Sequence, residues 1–142
     1  MQLYLLASLI ILSTACGSSK PLDQNVEEME KAELVDSFDD YRNSAYVDFK
    51  EVVLEGNIVT LKFTYSGGCE EHNFKMIGMR SIGKTLPPTR SIMLYHDSNG
   101  DSCRELITET LTYNISAFGY KVGEPITLNL EGWNKPISYT LE

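Results

Sequence analysis

The chain holds only two histidines, and each stands a few residues from a cysteine. His72 closes the run Ser66-Gly67-Gly68-Cys69-Glu70-Glu71-His72-Asn73-Phe74, and His96 opens the run His96-Asp97-Ser98-Asn99-Gly100-Asp101-Ser102-Cys103. Imidazole, thiolate and carboxylate together are the donor set of zinc, copper and nickel centres. A thiol near an imidazole is also the start of nucleophilic catalysis, provided it is accessible, has a low pKa and stays reduced. The spacing Cys69-x-x-His72 with His96-x6-Cys103 matches no established zinc signature, however. The first expectation is therefore that both histidines are partly buried and hydrogen-bonded. The alternative is a divalent-metal site built on His72 and His96, with Glu70, Glu71, Asp97 and Asp101 available to complete it. Asp97 to Asp101 fails the calcium-loop template, which needs glycine at its sixth place and glutamate at its twelfth. Gly100 is fourth and Thr108 twelfth, so a polar β-turn is expected there.

Those residues must be positioned by strands. Val59, Leu61, Phe63 and Tyr65 alternate with polar neighbours, as do Ile107, Leu111, Tyr113 and Ile115; Ile126, Leu128 and Leu130; and Ile137, Tyr139 and Leu141. Period-two alternation marks strands with one buried face. The phase slips between Phe49 and Val52, which predicts a β-bulge near Glu51. Gly56-Asn57 predicts a tight turn into the next strand. About seven strands are expected, over 46–54, 58–66, 71–77, 90–96, 105–115, 125–131 and 136–141. That spacing predicts an all-β fold, a single antiparallel, immunoglobulin-like β-sandwich over residues 44–142, with a small β-barrel as the alternative. If 71–77 and 90–96 pair antiparallel, Phe74 faces Leu94, Met76 faces Ile92 and His72 faces His96. Both histidines then lie at the sheet end nearest the two cysteines. Trp133, after Gly132, is expected in the core rather than as an exposed ring for a sugar or peptide.

The first fifteen residues carry no charged side chain and include Leu3, Leu5, Leu6, Leu9, Ile10, Ile11 and Leu12. The run is too short for a membrane helix, which needs roughly 20 apolar residues, and has the length of a signal-peptide core. Ser13, Thr14 and Ala15 ahead of Cys16 resemble a lipobox, although Ser13 stands where leucine is usual. The resemblance implies a signal peptide over 1–15 and a lipid on Cys16, hence an outer-membrane anchor with a periplasmic or surface-facing domain. Each buried CH₂ of such a lipid contributes about 0.8 kcal/mol. Residues 16–43 are expected to be a flexible acidic tether. Gly17 to Ala45 hold eight acids and three bases out of a net charge of −8 for the whole chain. The alternative is that Leu34, Val35 and Phe38 dock on the domain as an edge element.

The charge excludes a basic nucleic-acid-binding surface. With Cys16 lipidated, Cys69 and Cys103 remain, and in an oxidising compartment a disulfide between them is expected.

The segment Gly67-Gly68-Cys69-x-x-His72-x-Phe74 resembles one in small uncharacterised lipoproteins of Bacteroidetes-type bacteria, and His96 to Cys103 is similar to its partner segment. The resemblance spans some sixty residues. It implies a lipoprotein with a β fold, and no activity comes with it. The chain also contains no G-x-S-x-G, H-E-x-x-H, P-loop or dinucleotide-binding motif. The functional expectation is a non-enzymatic envelope lipoprotein with no cofactor, which binds an envelope protein partner or has a structural role. Divalent-metal binding through His72 and His96 is the alternative, and a thiol enzyme built on Cys69 comes third.

Overall fold

The computed structural model describes residues 29–142. The signal peptide, Cys16 and the tether before Met29 lie outside the described residues.

Nine strands build two sheets. The first sheet contains β1 (Glu30–Lys31), β3 (Asp48–Glu55), β4 (Ile58–Gly67) and β7 (Glu105–Asn114), in the order β1-β7-β4-β3. The second contains β2 (Glu33–Val35), β5 (Asn73–Met79), β6 (Thr89–Asp97), β8 (Pro125–Leu130) and β9 (Ile137–Thr140), in the order β2-β5-β6-β8-β9. Short 3-10 turns occur at Asp39–Tyr41 and Ser116–Phe118. Neither sheet closes on itself, so the fold is a sandwich and not a barrel. Among these residues no helix is long and apolar enough to cross a membrane.

The alternating apolar residues face one another across the sandwich. Val59, Leu61, Phe63 and Tyr65 of β4 and Tyr113 of β7 meet Met76, Ile92, Leu94, Ile126, Leu128 and Tyr139 of the second sheet, all buried. The bulge falls where the phase slip predicts it: Phe49 pairs with Phe63 and Glu51 with Lys62, which leaves Lys50 as the extra residue. Gly56, with φ of 56°, makes the turn between Glu55 and Ile58. Trp133 is half-buried and packs against the core.

Three expectations need correction. The antiparallel expectation holds for the hairpins, but β6–β8, β1–β7 and β2–β5 run parallel. Because β6 lies between β5 and β8, the strand order departs from the immunoglobulin sheets, in which the third and sixth strands of the fold are neighbours.

The third correction concerns the domain boundary, which lies near residue 30 rather than 44. Residues 30–35 form one split strand: Glu30 and Lys31 pair with β7, Ala32 is buried at the crossing, and Glu33 to Val35 pair with β5. The next residues cross the outer face of the second sheet, where Tyr41 packs edge-on to Tyr95 at 5.1 Å. They reach the far side of β6, where the Ala45 N–H donates to the His96 carbonyl at 2.8 Å. The docking noted for Leu34 and Val35 is thus the observed arrangement.

Candidate functional site

At one end of the sandwich the two cysteine-bearing segments meet. Cys69 follows β4 and Cys103 precedes β7, and a disulfide joins them with Cα atoms 5.8 Å apart. Between the histidine strand β6 and Cys103 the chain reverses at Ser98-Asn99-Gly100-Asp101. The Asp101 N–H donates to the Ser98 carbonyl at 2.9 Å, with φ of 52° at Asn99 and 73° at Gly100. Two central residues with positive φ define the Asn-Gly type I′ turn. The Asp97 carboxylate accepts the Asn99 N–H at 2.9 Å and so supports this turn.

The turn delivers Asp101 into the interior. Its Oδ2 accepts the backbone N–H groups of Cys69 at 2.9 Å and Glu70 at 3.0 Å, and Oδ1 accepts that of Cys103 at 2.7 Å. One carboxylate therefore ties together both sides of the disulfide. These N–H groups, with His72 adding to them, hold the Asp101 carboxyl far below the usual carboxylate range. Asp101 must then be an acceptor only, so His72 Nε2, 3.1 Å from Oδ2, is the donor. The other nitrogen of His72, Nδ1, lies 2.7 Å from His96 Nε2. The result is a chain Asp101–His72–His96, with side-chain exposures of 0% for Asp101 and 2% for His72, and His96 itself 1% exposed.

The enclosure is aromatic. Phe74 stacks on His96 at 4.5 Å, and Tyr65 lies 4.8 Å from His72 and 5.0 Å from His96. Burial and the Glu109 carboxylate, which accepts the Tyr65 O–H at 2.9 Å, push that phenol up to about 12. Burial, and then the neighbouring His72, push the His96 pKa down; nearby backbone carbonyls of Ala45 and Tyr46 act in the opposite direction. His96 Nδ1 has no hydrogen-bond partner. With His72 Nε2 donating to Asp101, one proton is shared between His72 Nδ1 and His96 Nε2.

The histidines meet, but not in the expected register. Asn73 pairs with Asp97, Phe74 with His96 and Met76 with Leu94, a shift of two residues from the expected pairing. His72 lies just before β5 and reaches His96 diagonally, within the range of long and aromatic side chains across a sheet. Of the four acids considered, only the Asp101 carboxylate joins the histidines. Glu70 contributes its backbone N–H, the Glu71 carbonyl accepts from Asn99, and Asp97 serves the turn.

Gly67 is the residue whose part the sequence did not disclose. A Cβ there would stand 2.7 Å from the His72 ring and 3.2 Å from Asp101 Oδ2. The Gly-Gly pair looks like turn punctuation, and nothing in its spacing says that an imidazole packs on the backbone.

This geometry limits the chemistry. An Asp–His pair can orient a base, but the second nitrogen of His72 pairs with another imidazole, and neither ring pairs with a hydroxyl or thiol among the described residues. Zinc holds each nitrogen at about 2.0–2.1 Å, which places two tetrahedral ligands roughly 3.3 Å apart. The observed 2.7 Å is a hydrogen bond, and a metal would have to part the rings. Cys69, Asp101 and Cys103 also cluster, but their sulfurs are joined to each other and their carboxylate is occupied.

No protein-family model matches the chain. No curated protein matches it either. Solved structures do. A NigD-like immunity protein from Bacteroides caccae aligns with a TM-score of 0.54 and 17% identity over 78% of this chain. A protein of unknown function from Bacteroides vulgatus aligns with a TM-score of 0.55 and 13% identity over 80% of it. The aligned regions make up 58% and 57% of those two chains, so this chain spans less than two thirds of either. At such identities the likeness is one of fold. It defines the class as an all-β sandwich also found in Bacteroides proteins.

Proposed function

We propose that this chain is a cell-envelope lipoprotein, anchored in the outer membrane through Cys16, whose sandwich acts without catalysis by binding a protein partner. Support for a domain that acts without catalysis comes from the state of the buried polar cluster at the disulfide end. Asp101, His72 and His96 are bonded to each other and to the backbone, away from solvent, and the only two cysteines among the described residues are joined. The anchoring half rests on the apolar leader, the small residues before Cys16, and the likeness of the Gly67–Phe74 segment to those of Bacteroidetes-type lipoproteins. A solved neighbour is described as an immunity protein, and immunity would be one form of partner binding.

Two measurements test the two halves. Mass spectrometry of the protein from its host is expected to find acylated Cys16 at the N-terminus; an unprocessed, unmodified cytosolic chain contradicts the anchor. Affinity capture from detergent-solubilised envelopes is expected to recover a stoichiometric protein partner, and capture of none contradicts the binding role.

A further inference from the structure

The register that brings Cys69 and Cys103 together does not depend on the bond between their sulfurs. β4 and β7 pair antiparallel along their whole length and end on Gly67 opposite Glu105. The next pair on the same face of that ladder is Cys69 with Cys103, whose Cα atoms stand 5.8 Å apart. The two sulfurs and one carboxylate oxygen of Asp101 lie within 4.8 Å of one another. The Asp101 side chain is 0% exposed and is fixed by three backbone N–H groups. Cys69, by contrast, is exposed and Cys103 half-buried, so a small reductant reaches the S–S bond from solvent.

Opening that bond would set two thiols beside a carboxylate that its N–H donors keep ionised. The Glu105 carboxylate packs against Gly68 and adds a second negative charge next to Cys69. Negative neighbours disfavour a thiolate. A divalent cation reverses this, because thiolate and carboxylate are then its ligands. Zinc–sulfur bonds of about 2.3 Å at a tetrahedral angle set two sulfurs roughly 3.8 Å apart. Cβ atoms at the usual disulfide separation of about 3.5–4.5 Å allow that spacing by side-chain rotation alone. Asp101 Oδ2 carries two N–H groups and the His72 contact, whereas Oδ1 accepts only the Cys103 N–H and so keeps a lone pair for a metal.

We propose that reduction converts the disulfide corner into a zinc site, with the Cys69 and Cys103 thiolates and the Asp101 carboxylate as ligands and water in the fourth position. A dithiol supplies the two electrons: the Cys69–Cys103 bond breaks, both sulfurs become thiols, and the dithiol closes to its own disulfide. Zinc then displaces the two thiol protons to solvent and links the end of β4 to the start of β7 in place of the S–S bond. His72 and His96 keep their bond to each other and are not ligands, which separates this site from one built on the two imidazoles. The inference goes beyond the partner-binding reading and does not depend on it.

The test uses the full chain in detergent, with Cys16→Ser so that no third thiol takes part. The chain is reduced with a phosphine, freed of the phosphine under inert gas, and titrated with zinc against a chromophoric zinc indicator. Expected is one zinc per reduced chain with a Kd below micromolar. Binding should be at least a hundredfold weaker for the oxidised chain and for Cys69→Ser, and at least tenfold weaker for Asp101→Asn. Zinc should also raise the thermal midpoint of the reduced chain by roughly 5 °C or more. If Asp101→Asn does not fold, X-ray absorption at the zinc edge of the reduced parent chain decides, with two sulfurs, two oxygens and no imidazole scattering expected. No zinc uptake by the reduced chain, equal uptake by the oxidised chain, a folded Asp101→Asn chain of unchanged affinity, an unchanged midpoint, or imidazole in the metal shell would each overturn the proposal.

Discussion

A carboxylate that accepts three backbone N–H groups and an imidazole N–H favours its ionised form in the folded chain alone. Asp101 therefore adds stability above the ordinary carboxylate pKa of about 3.9, and that stability is lost as pH falls through its depressed folded value. Asp101→Asn should lower the thermal midpoint at neutral pH and reduce its further fall in strong acid. His96 acts in a higher window. Its folded pKa is lowered, so below about 6.5 the unfolded chain takes up a proton that the folded chain refuses, and stability declines as pH falls. Thermal midpoints measured from pH ~7 down to ~5 should fall, and His96→Gln should flatten that slope while lowering the midpoint at pH ~7; a wild-type midpoint independent of pH in this window would count against a buried His96. At Gly67 the added methyl of alanine meets the His72 ring, and a cost of about 1–3 kcal/mol is expected from denaturant titration. At this scale the sequence was readable only in part. It put His72 and His96 on one sheet face, because a slip of two residues preserves the face. For the same reason it could not fix the register, and no pattern distinguished Asp101 from the three other acids nearby.

At the scale of elements, alternation located β3, β4, β7, β8 and β9 and a bulge near Glu51, which falls at Lys50, while β5 and β6, buried on both faces around Ile77 and Met93, were marked only by the turn residues that flank them. It missed the split strand of β1 and β2. Those segments are two and three residues long and acid-rich, and what holds them is backbone pairing plus the burial of Ala32. Local composition there looks like solvated chain. The Ala32 N–H donates to the Asn114 carbonyl at 2.9 Å, and the Ala45 N–H to that of His96. Hydrogen exchange at both amides should be slowed well beyond that of an open chain; exchange at unprotected rates would return 30–45 to the role of tether. The disulfide belongs to this scale as well, because it joins the ends of two strands across a separation of 34 residues. Reduction should cost about 3–4 kcal/mol by loss of loop constraint, measurable as a lower denaturant midpoint, and should loosen the N–H groups that Asp101 collects.

For the whole molecule, the two-sheet architecture followed from the number and spacing of strands, but their order did not. The parallel β6–β8 neighbours depend on crossings between sheets that no local pattern records. The same architecture separates two polar regions. One is dry, closed by a disulfide and complete in its hydrogen bonds except at His96 Nδ1; the other is an open acidic cleft beside a free strand edge. The proposed role of the first is to hold the fold. Its most direct test is imidazole ¹⁵N NMR of the folded, oxidised protein at neutral pH, with and without one equivalent of zinc. His72 Nε2 should carry a proton held by Asp101, and zinc should leave all four nitrogen shifts in place. Zinc-dependent shifts at both rings would contradict the structural role and return His72 and His96 to the status of metal ligands.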